Sequence, residues 1–383
     1  MKRLLSFLFV LCFFLSSCAL QDGSSAKTEE LKQALSDSKS YPIYNYLKSD
    51  EQDIYAKVCY GINNYDSSVT FGPFSSEAEC KSISDTLKTL YMQIVFEQSE
   101  NFWTNPYYYE IQTTQLGDEY RLVLKFNYLI DKESLERDKS LFDKKIDSVI
   151  SLAEKQSGDF EKVLFVYDYI MKNTVYDESV LSDDASASTG VNAYGCLIDG
   201  KTVCSGYALA FDAVLKRLGY ECGVEFNNYN AFSIISGHVW NYCKLGEEYY
   251  YFDLTWDDTG YDSEEYKEYF EYAHNYFAIT RDELSKSNFT LSSDAPTPPC
   301  NGKAYNYYIY KGYNVSSYSF DAVKKIIEKQ SGQNYIEMRF DSYSELLRAK
   351  SELLDDGKIY DLVNESSISY SVDESKLHLI ILL

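Results

Sequence analysis

Cys204, His238 and Asp253 are, in chain order, the residue types that a thiol nucleophile, its base and the orienter of that base require. They fall in TVCSGYALAF at 202–211, SGHVWNY at 236–242 and YYYFDLTWDD at 249–258. Thiol chemistry runs through the thiolate, and a free cysteine is only partly ionised at neutral pH. After Cys204 the large or apolar residues Tyr207, Ala208, Phe211, Val214, Leu215 and Leu218 keep helical spacing, and Gly219 supplies a stop. The spacing predicts a buried helix with Cys204 in its first turn, where N–H groups and the helix dipole favour an anion. Ser205, Gly206 and Ala208 are small, which predicts room for a substrate backbone. On Cys204 alone, a core cysteine is the plainer alternative, because thiols bury well.

His238 and Asp253 add the second half of the chemistry. Val239 and Tyr242 lead into Lys244-Leu245-Gly246-Glu247, and 249–256 is rich in strand formers, so 237–256 reads as a β-hairpin. With the turn centred between Leu245 and Gly246, His238 faces Asp253. A slip by two residues keeps both on one face, because strand side chains alternate. Facing pairs place Cβ atoms about 4.5–5.5 Å apart, within reach for a carboxylate to hold an imidazole N–H.

Together, YGCLIDGKTVCSGYALAF, GHVWNY and YFDLTWDD resemble the bacterial transglutaminase-like core, which is related to papain-type cysteine proteases. The likeness runs from 159 to 282, with KVLFVYDYIMKNTVYDE at 162–178 as the preceding helix and HNYFAIT at 274–280 as the following strand. The resemblance implies Cys204 as nucleophile, His238 as general base and then acid, and Asp253 as the orienter of His238. It implies the backbone N–H of Cys204 as one oxyanion donor. Papain-like enzymes place a glutamine shortly before the cysteine; Ile198, Asp199 and Gly200 offer none, and Tyr194 is the candidate second donor. The superfamily spans cross-linking acyltransferases, peptidases, amidases and members without catalysis. The expected activity is therefore acyl transfer on peptide or protein amides, with hydrolysis ahead of cross-linking and no cofactor. The rival is a non-catalytic binding or scaffold protein on the same fold.

Gly195-Cys196-Leu197-Ile198-Asp199-Gly200-Lys201-Thr202 also fits GxxxxGK[ST]. That motif needs a buried strand directly before it, whereas 186–194 is a polar loop, and Asp199 inside the motif would repel phosphate. No nucleotide site is expected.

The N-terminus carries Lys2 and Arg3, an apolar run from Leu4 to Leu15, then Leu15-Ser16-Ser17-Cys18. This reads as a lipoprotein signal peptide over 1–17 with Cys18 as the lipidated residue, since the run is too short to span a bilayer. Residues 18–42 read as a polar tether. The expected location is extracytoplasmic, anchored to a bacterial membrane by lipid. The formal charge is −23, and loss of 1–17 removes two basic residues and no acidic one, leaving −25. Such an excess argues against nucleic-acid partners. No CxxC or His/Cys cluster suggests zinc. Cys222 and Cys243 lie in candidate neighbouring strands, and Cys59 and Cys80 in consecutive helices; each pair reads equally as a disulfide or as buried thiols.

The fold class expected is α+β, a papain-like core with the Cys204 helix packed on an antiparallel sheet and two smaller α/β modules flanking it. An N-terminal module covers 43–150, with helix 51–64, a helix capped by Ser76 and Glu79, strands 107–114 and 120–129, and a helix over 133–155. The catalytic domain covers 151–295. Asp294-Ala295-Pro296-Thr297-Pro298-Pro299 then punctuates the chain. The C-terminal module at 301–383 reads as strand 305–310, helix 319–330, strand 335–340, helix 343–355 and a hairpin at 367–382. The acidic run at 257–262 reads as a solvated loop without an EF-hand pattern. The 38 tyrosines are consistent with composition bias or with exposed contact groups.

Overall fold

The structure, a computed structural model, describes residues 22–38, 41–181, 188–227, 237–259, 274–286 and 297–383. Cys18 and the leader lie outside the described residues, as does 260–262 of the acidic run. Residues expected as tether instead include helix α1 (Asp22–Asp37). Its composition is polar, yet Leu35 is buried and Leu31 packs on the core, two apolar positions four apart on one helical face. Lys32 forms an ion pair with Asp53 on α2 (Ser49–Asn63). No helix among the described residues is long and apolar enough to cross a membrane.

β1 (Ser68–Phe74), α3 (Glu77–Glu97), β2 (Thr104–Leu116), β3 (Glu119–Tyr128) and α4 (Lys132–Ala153) follow in the chain. Ser76 caps α3 by accepting the Glu79 N–H, and Glu79 reaches back to the Ser75 N–H at 3.0 Å. The antiparallel sheet runs β1-β3-β2. β1 is not announced by the sequence, because Gly72 and Pro73 read as a turn. The strand carries them at an irregularity between Phe71 and Phe74.

α5 (Asp159–Asn173) leads to β4 (Val175–Tyr176), which pairs in parallel with β5 (Lys201–Thr202). α6 (Cys204–Arg217) follows directly, buried along its length from Cys204 to Lys216. It packs against α4, α5 and the sheet β6-β7-β8-β9. The strands are β6 (Cys222–Asn227), β7 (His238–Leu245), β8 (Glu248–Phe252) and β9 (Phe277–Ile279), all antiparallel, with α7 (Leu254–Thr259) after β8 and α8 (Arg281–Ser285) after β9. This is the α+β arrangement expected, a helix packed on an antiparallel sheet.

The C-terminal module holds α9 (Tyr307–Lys311), β10 (Asn314–Val315), α10 (Phe320–Lys329), β11 (Tyr335–Phe340), α11 (Tyr343–Ala349), β12 (Ser369–Asp373) and β13 (His378–Leu382), with sheet order β10-β11-β13-β12. The strand expected at 305–310 is helical instead. Tyr307 and Tyr308 are both buried while Ile309 and Tyr310 are both exposed, a two-in, two-out pattern that a strand's alternation cannot give. Gly312 ends this helix at φ +72°. The helix expected over 343–355 continues past α11 as a wider π turn, Lys350–Asp355.

The apolar core runs unbroken through all three modules. Tyrosine serves the core as well as the surface: Tyr55, Tyr91, Tyr167, Tyr207, Tyr251 and Tyr308 are among the largest fully buried side chains, while Tyr46, Tyr343 and Tyr360 are exposed. The hydroxyls of those buried rings find partners, as in Tyr55 to Glu97 and Tyr251 to Glu225.

Candidate active site

The loop before α6 is held from inside. Thr202 Oγ1 donates to Gly190 O at 2.6 Å, and Ser205 Oγ to Val191 O at 2.9 Å. A Cβ on Gly206 would overlap Thr202 Oγ1 and crowd Asn192 O. The small residues after Cys204 therefore serve internal packing, which corrects the expectation that they clear space for substrate. Cys204 is the first residue of α6, behind Val203 in extended conformation, so the positive end of the helix dipole lies at its thiol. It retains 5% exposure.

His238 is the first residue of β7. Its N–H donates to Asn227 Oδ1 at 3.0 Å, and its ring stacks on Trp240 and meets Trp256 edge-on. The hairpin turns at Gly246-Glu247, with Gly246 at φ +63°, and pairs Leu245 with Glu248 and Asn241 with Phe252. This is the two-residue slip from the register centred on 245/246; parity is kept and the direct facing of His238 and Asp253 is not. Asp253 lies just beyond β8, yet its Oδ2 is 2.6 Å from His238 Nε2.

Asp253 is fixed by more than the histidine. Its Oδ1 accepts the Trp256 N–H at 3.2 Å and so caps the first turn of α7. Its N–H donates to Tyr276 O at 3.2 Å, and its carbonyl accepts from the Tyr167 hydroxyl at 2.9 Å. Asp257, one turn on, is buried and accepts from that same hydroxyl at 2.6 Å and from the N–H groups of Asn275 and Tyr276. Burial pushes the Asp257 carboxyl up to about 7, against the lowering pull of these donors and of His274. Asp258 accepts from the Tyr207 hydroxyl. The pair at 257–258 is thus tied into the protein, not the solvated start of a loop. Among the described residues, no group of three or more His, Cys, Asp or Glu side chains is arranged to hold a metal.

With Nε2 on Asp253, the other ring nitrogen of His238 is the one left for its hydrogen bond to the Cys204 thiol. Burial pulls the imidazole pKa down, but Asp253 and then Cys204 raise it further, to about 10. The imidazole therefore holds its proton more firmly than a free histidine, and the three side chains form one hydrogen-bonded line.

Tyr194 is otherwise engaged. Its N–H donates to Asn192 Oδ1 at 2.9 Å, its ring packs on Phe102 and Phe142, and its hydroxyl bonds Asp138 on α4. These contacts hold Tyr194 against α4. Tyr176, which the sequence does not single out, pairs with Thr202 in the β4–β5 ladder, just before Cys204. Burial, then Cys204 and Glu178, push the Tyr176 hydroxyl up to about 12, so it stays a neutral donor. No local pattern marks this residue, because Val175 and Tyr176 pair with residues far along the chain, Lys201 and Thr202. At the opposite end of α6, beside Leu218 and Gly219, an open polar cleft of about 480 Å³ is remote from these groups.

Residues 148–254 match the model of the transglutaminase-like superfamily core. No curated protein matches. Among solved structures, the chain is similar to a TGase, at 17% identity and a TM-score of 0.28, over 40% of this chain and 45% of that one. It is similar to a protein from Cytophaga hutchinsonii assigned as a cysteine protease, at 17% identity and a TM-score of 0.24, over 39% of this chain and 62% of that one. The chain therefore spans less than two thirds of either. Residues 148–254, which contain the Cys204 helix, His238 and Asp253, form a transglutaminase-like domain.

Proposed function

We propose that this protein is a cysteine acyl-transfer enzyme acting on peptide or protein amides, with Cys204 as nucleophile, His238 as base and then acid, and Asp253 as orienter. The observation that carries the reading is the hydrogen-bonded line from Asp253 Oδ2 through His238 to Cys204 at the start of a buried helix. The Cys204 thiolate attacks the amide carbonyl carbon, and the developing oxyanion is met by the Cys204 N–H and the Tyr176 hydroxyl. The His238 imidazolium gives its proton to the leaving amine, and a thioester remains on Cys204. Imidazole then takes a proton from the incoming acceptor, which attacks the thioester and restores the thiol. Water as acceptor gives hydrolysis, which is the reaction proposed; an amine would give a cross-link. The test is labelling of the full chain with a thiol-reactive acyl probe, followed by peptide turnover with and without added amine. Labelling at Cys204 with peptide cleavage supports the reading. No acyl-enzyme and no turnover with any peptide would leave a binding scaffold in its place.

We also propose that lipid on Cys18, behind Leu15-Ser16-Ser17, holds the enzyme outside the cytoplasm. Cys18→Ser should move the protein from the detergent phase to the aqueous phase. A wild-type chain that partitions into water would refute the anchor.

A further inference from the structure

The seven described cysteines are free thiols, and six of them have no place in the proposed chemistry. Each of those six has a hydrogen-bond partner other than cysteine: Cys59 with Gln98, Cys80 with Thr113, Cys196 with Thr174, Cys222 with Asp212 O, Cys243 with Lys244 O, and Cys300 with Pro298 O. Cys59 and Cys80, neighbours by helix order, thus contact different residues. Cys222 and Cys243 differ. They are direct register partners on β6 and β7, and both are fully buried.

The pairing class matters. Lys244 N donates to Glu221 O at 2.9 Å, which makes Glu221 and Lys244 a hydrogen-bonded pair of the ladder. Antiparallel pairs alternate, so the next pair, Cys222 and Cys243, is a non-hydrogen-bonded one. At such pairs the Cα atoms approach to about 4.5 Å and the side chains are closest. That separation lies inside the range a disulfide spans, about 4.4–6.8 Å between Cα atoms.

We propose that Cys222 and Cys243 are a disulfide-forming pair that staples β6 to β7, the strand that begins with His238. The inference rests on strand register and stands whether or not Cys204 is a nucleophile. The oxidant is a small or protein disulfide, here glutathione disulfide. One thiolate attacks its sulfur and expels a glutathione thiolate, which takes up a proton. The second protein thiol, losing its proton, attacks the mixed disulfide and releases the second glutathione. Two protein thiols are oxidised by two electrons, and one glutathione disulfide is reduced to two glutathiones. Since both sulfurs are buried in the finished fold, the bond forms as the strands pair and is afterwards shielded from reductant.

The experiment refolds the reduced, unfolded full chain in glutathione and glutathione disulfide, quenches with acid, alkylates in denaturant and maps peptides without reduction. The expected result is one linked peptide pair, Cys222 to Cys243, with Cys204 alkylated. Oxidation should raise the melting temperature by on the order of 5 °C. Cys243→Ala should lose both the linked peptide and the shift. Full alkylation of Cys222 and Cys243 at every glutathione ratio, scrambled linkage to other cysteines, or a shift that persists in Cys243→Ala would each overturn the proposal. These readouts do not involve acyl transfer, so their failure is separate from failure of the catalytic reading.

Discussion

His238 Nε2 and Asp253 Oδ2 lie 2.6 Å apart although His238 opens β7 and Asp253 lies one residue beyond the end of β8. The ladder does not hold Asp253 there. Its carboxylate bridges two structures, the imidazole through Oδ2 and the first turn of α7 through Oδ1. The same side chain thus fixes where the helix starts and which way the histidine points.

Asp253→Asn keeps an acceptor for the Trp256 N–H, so α7 should survive with little change in melting temperature. The charge that raises His238 is lost. The alkaline limb of kcat/KM, set near pH 10 by the imidazolium in the wild type, should move down toward the ordinary histidine value of 6.5. Turnover should fall about 10²–10³-fold, less than the roughly 10⁴-fold recorded for the equivalent change in a serine triad, because a thiolate forms more readily than an alkoxide. An unchanged pH–rate profile would remove Asp253 from the mechanism.

Cys204 should be the first cysteine alkylated under native conditions near neutral pH. It is 5% exposed, whereas Cys59 and Cys196 are 1% exposed and Cys80, Cys222, Cys243 and Cys300 fully buried. It also begins a helix and bonds His238. Mass spectrometry of timed iodoacetamide reactions checks this, and equal rates at Cys204 and Cys59 would count against it.

Tyr176→Phe should lower kcat about 10²-fold if its hydroxyl serves the oxyanion, the order of loss for one such donor. Alkylation of Cys204, which develops no oxyanion, should keep its rate. Loss of both together would mean that Tyr176 only supports the β4–β5 ladder.

Asp257 makes stability pH-dependent in a direction opposite to most carboxylates. Its folded value of about 7 exceeds the ordinary 3.8, so the folded state binds more protons between those values and loses stability as pH rises through the window. The burial cost is then fully present above about pH 7. Asp257→Asn cannot titrate. Relative to that variant, the wild type should lose about 2–4 kcal/mol in urea unfolding between pH 4 and pH 8. Parallel stability curves for the two proteins would refute the buried titration.

The start of α6 is legible in the sequence because its signals are local: apolar spacing after Cys204 and a stop at Gly219. The His238–Asp253 relation is legible in parity but not in register. An even turn conserves the face, while Gly246 takes the first turn position and shifts the ladder by two. The clamp on Asp253 is not legible. Tyr167 and Tyr276 reach it from α5 and from the approach to β9, and no local pattern marks them. The surroundings of Tyr194 are hidden for a related reason: nearness in sequence to Cys204 says nothing about Phe142 of α4, which stacks on its ring. At 305–310, β propensity of tyrosine and isoleucine points to a strand, whereas burial is decided by distant partners, Tyr307 stacking on His274 and Tyr308 bonding His378.

α6 is buried from Cys204 to Lys216, and Cys204 keeps 5% exposure. Little of the residue that would carry the nucleophile meets solvent, so reach rather than intrinsic reactivity should limit a reagent. Electrophiles with a narrow neck behind the reactive carbon should accordingly outpace bulky ones of equal intrinsic reactivity.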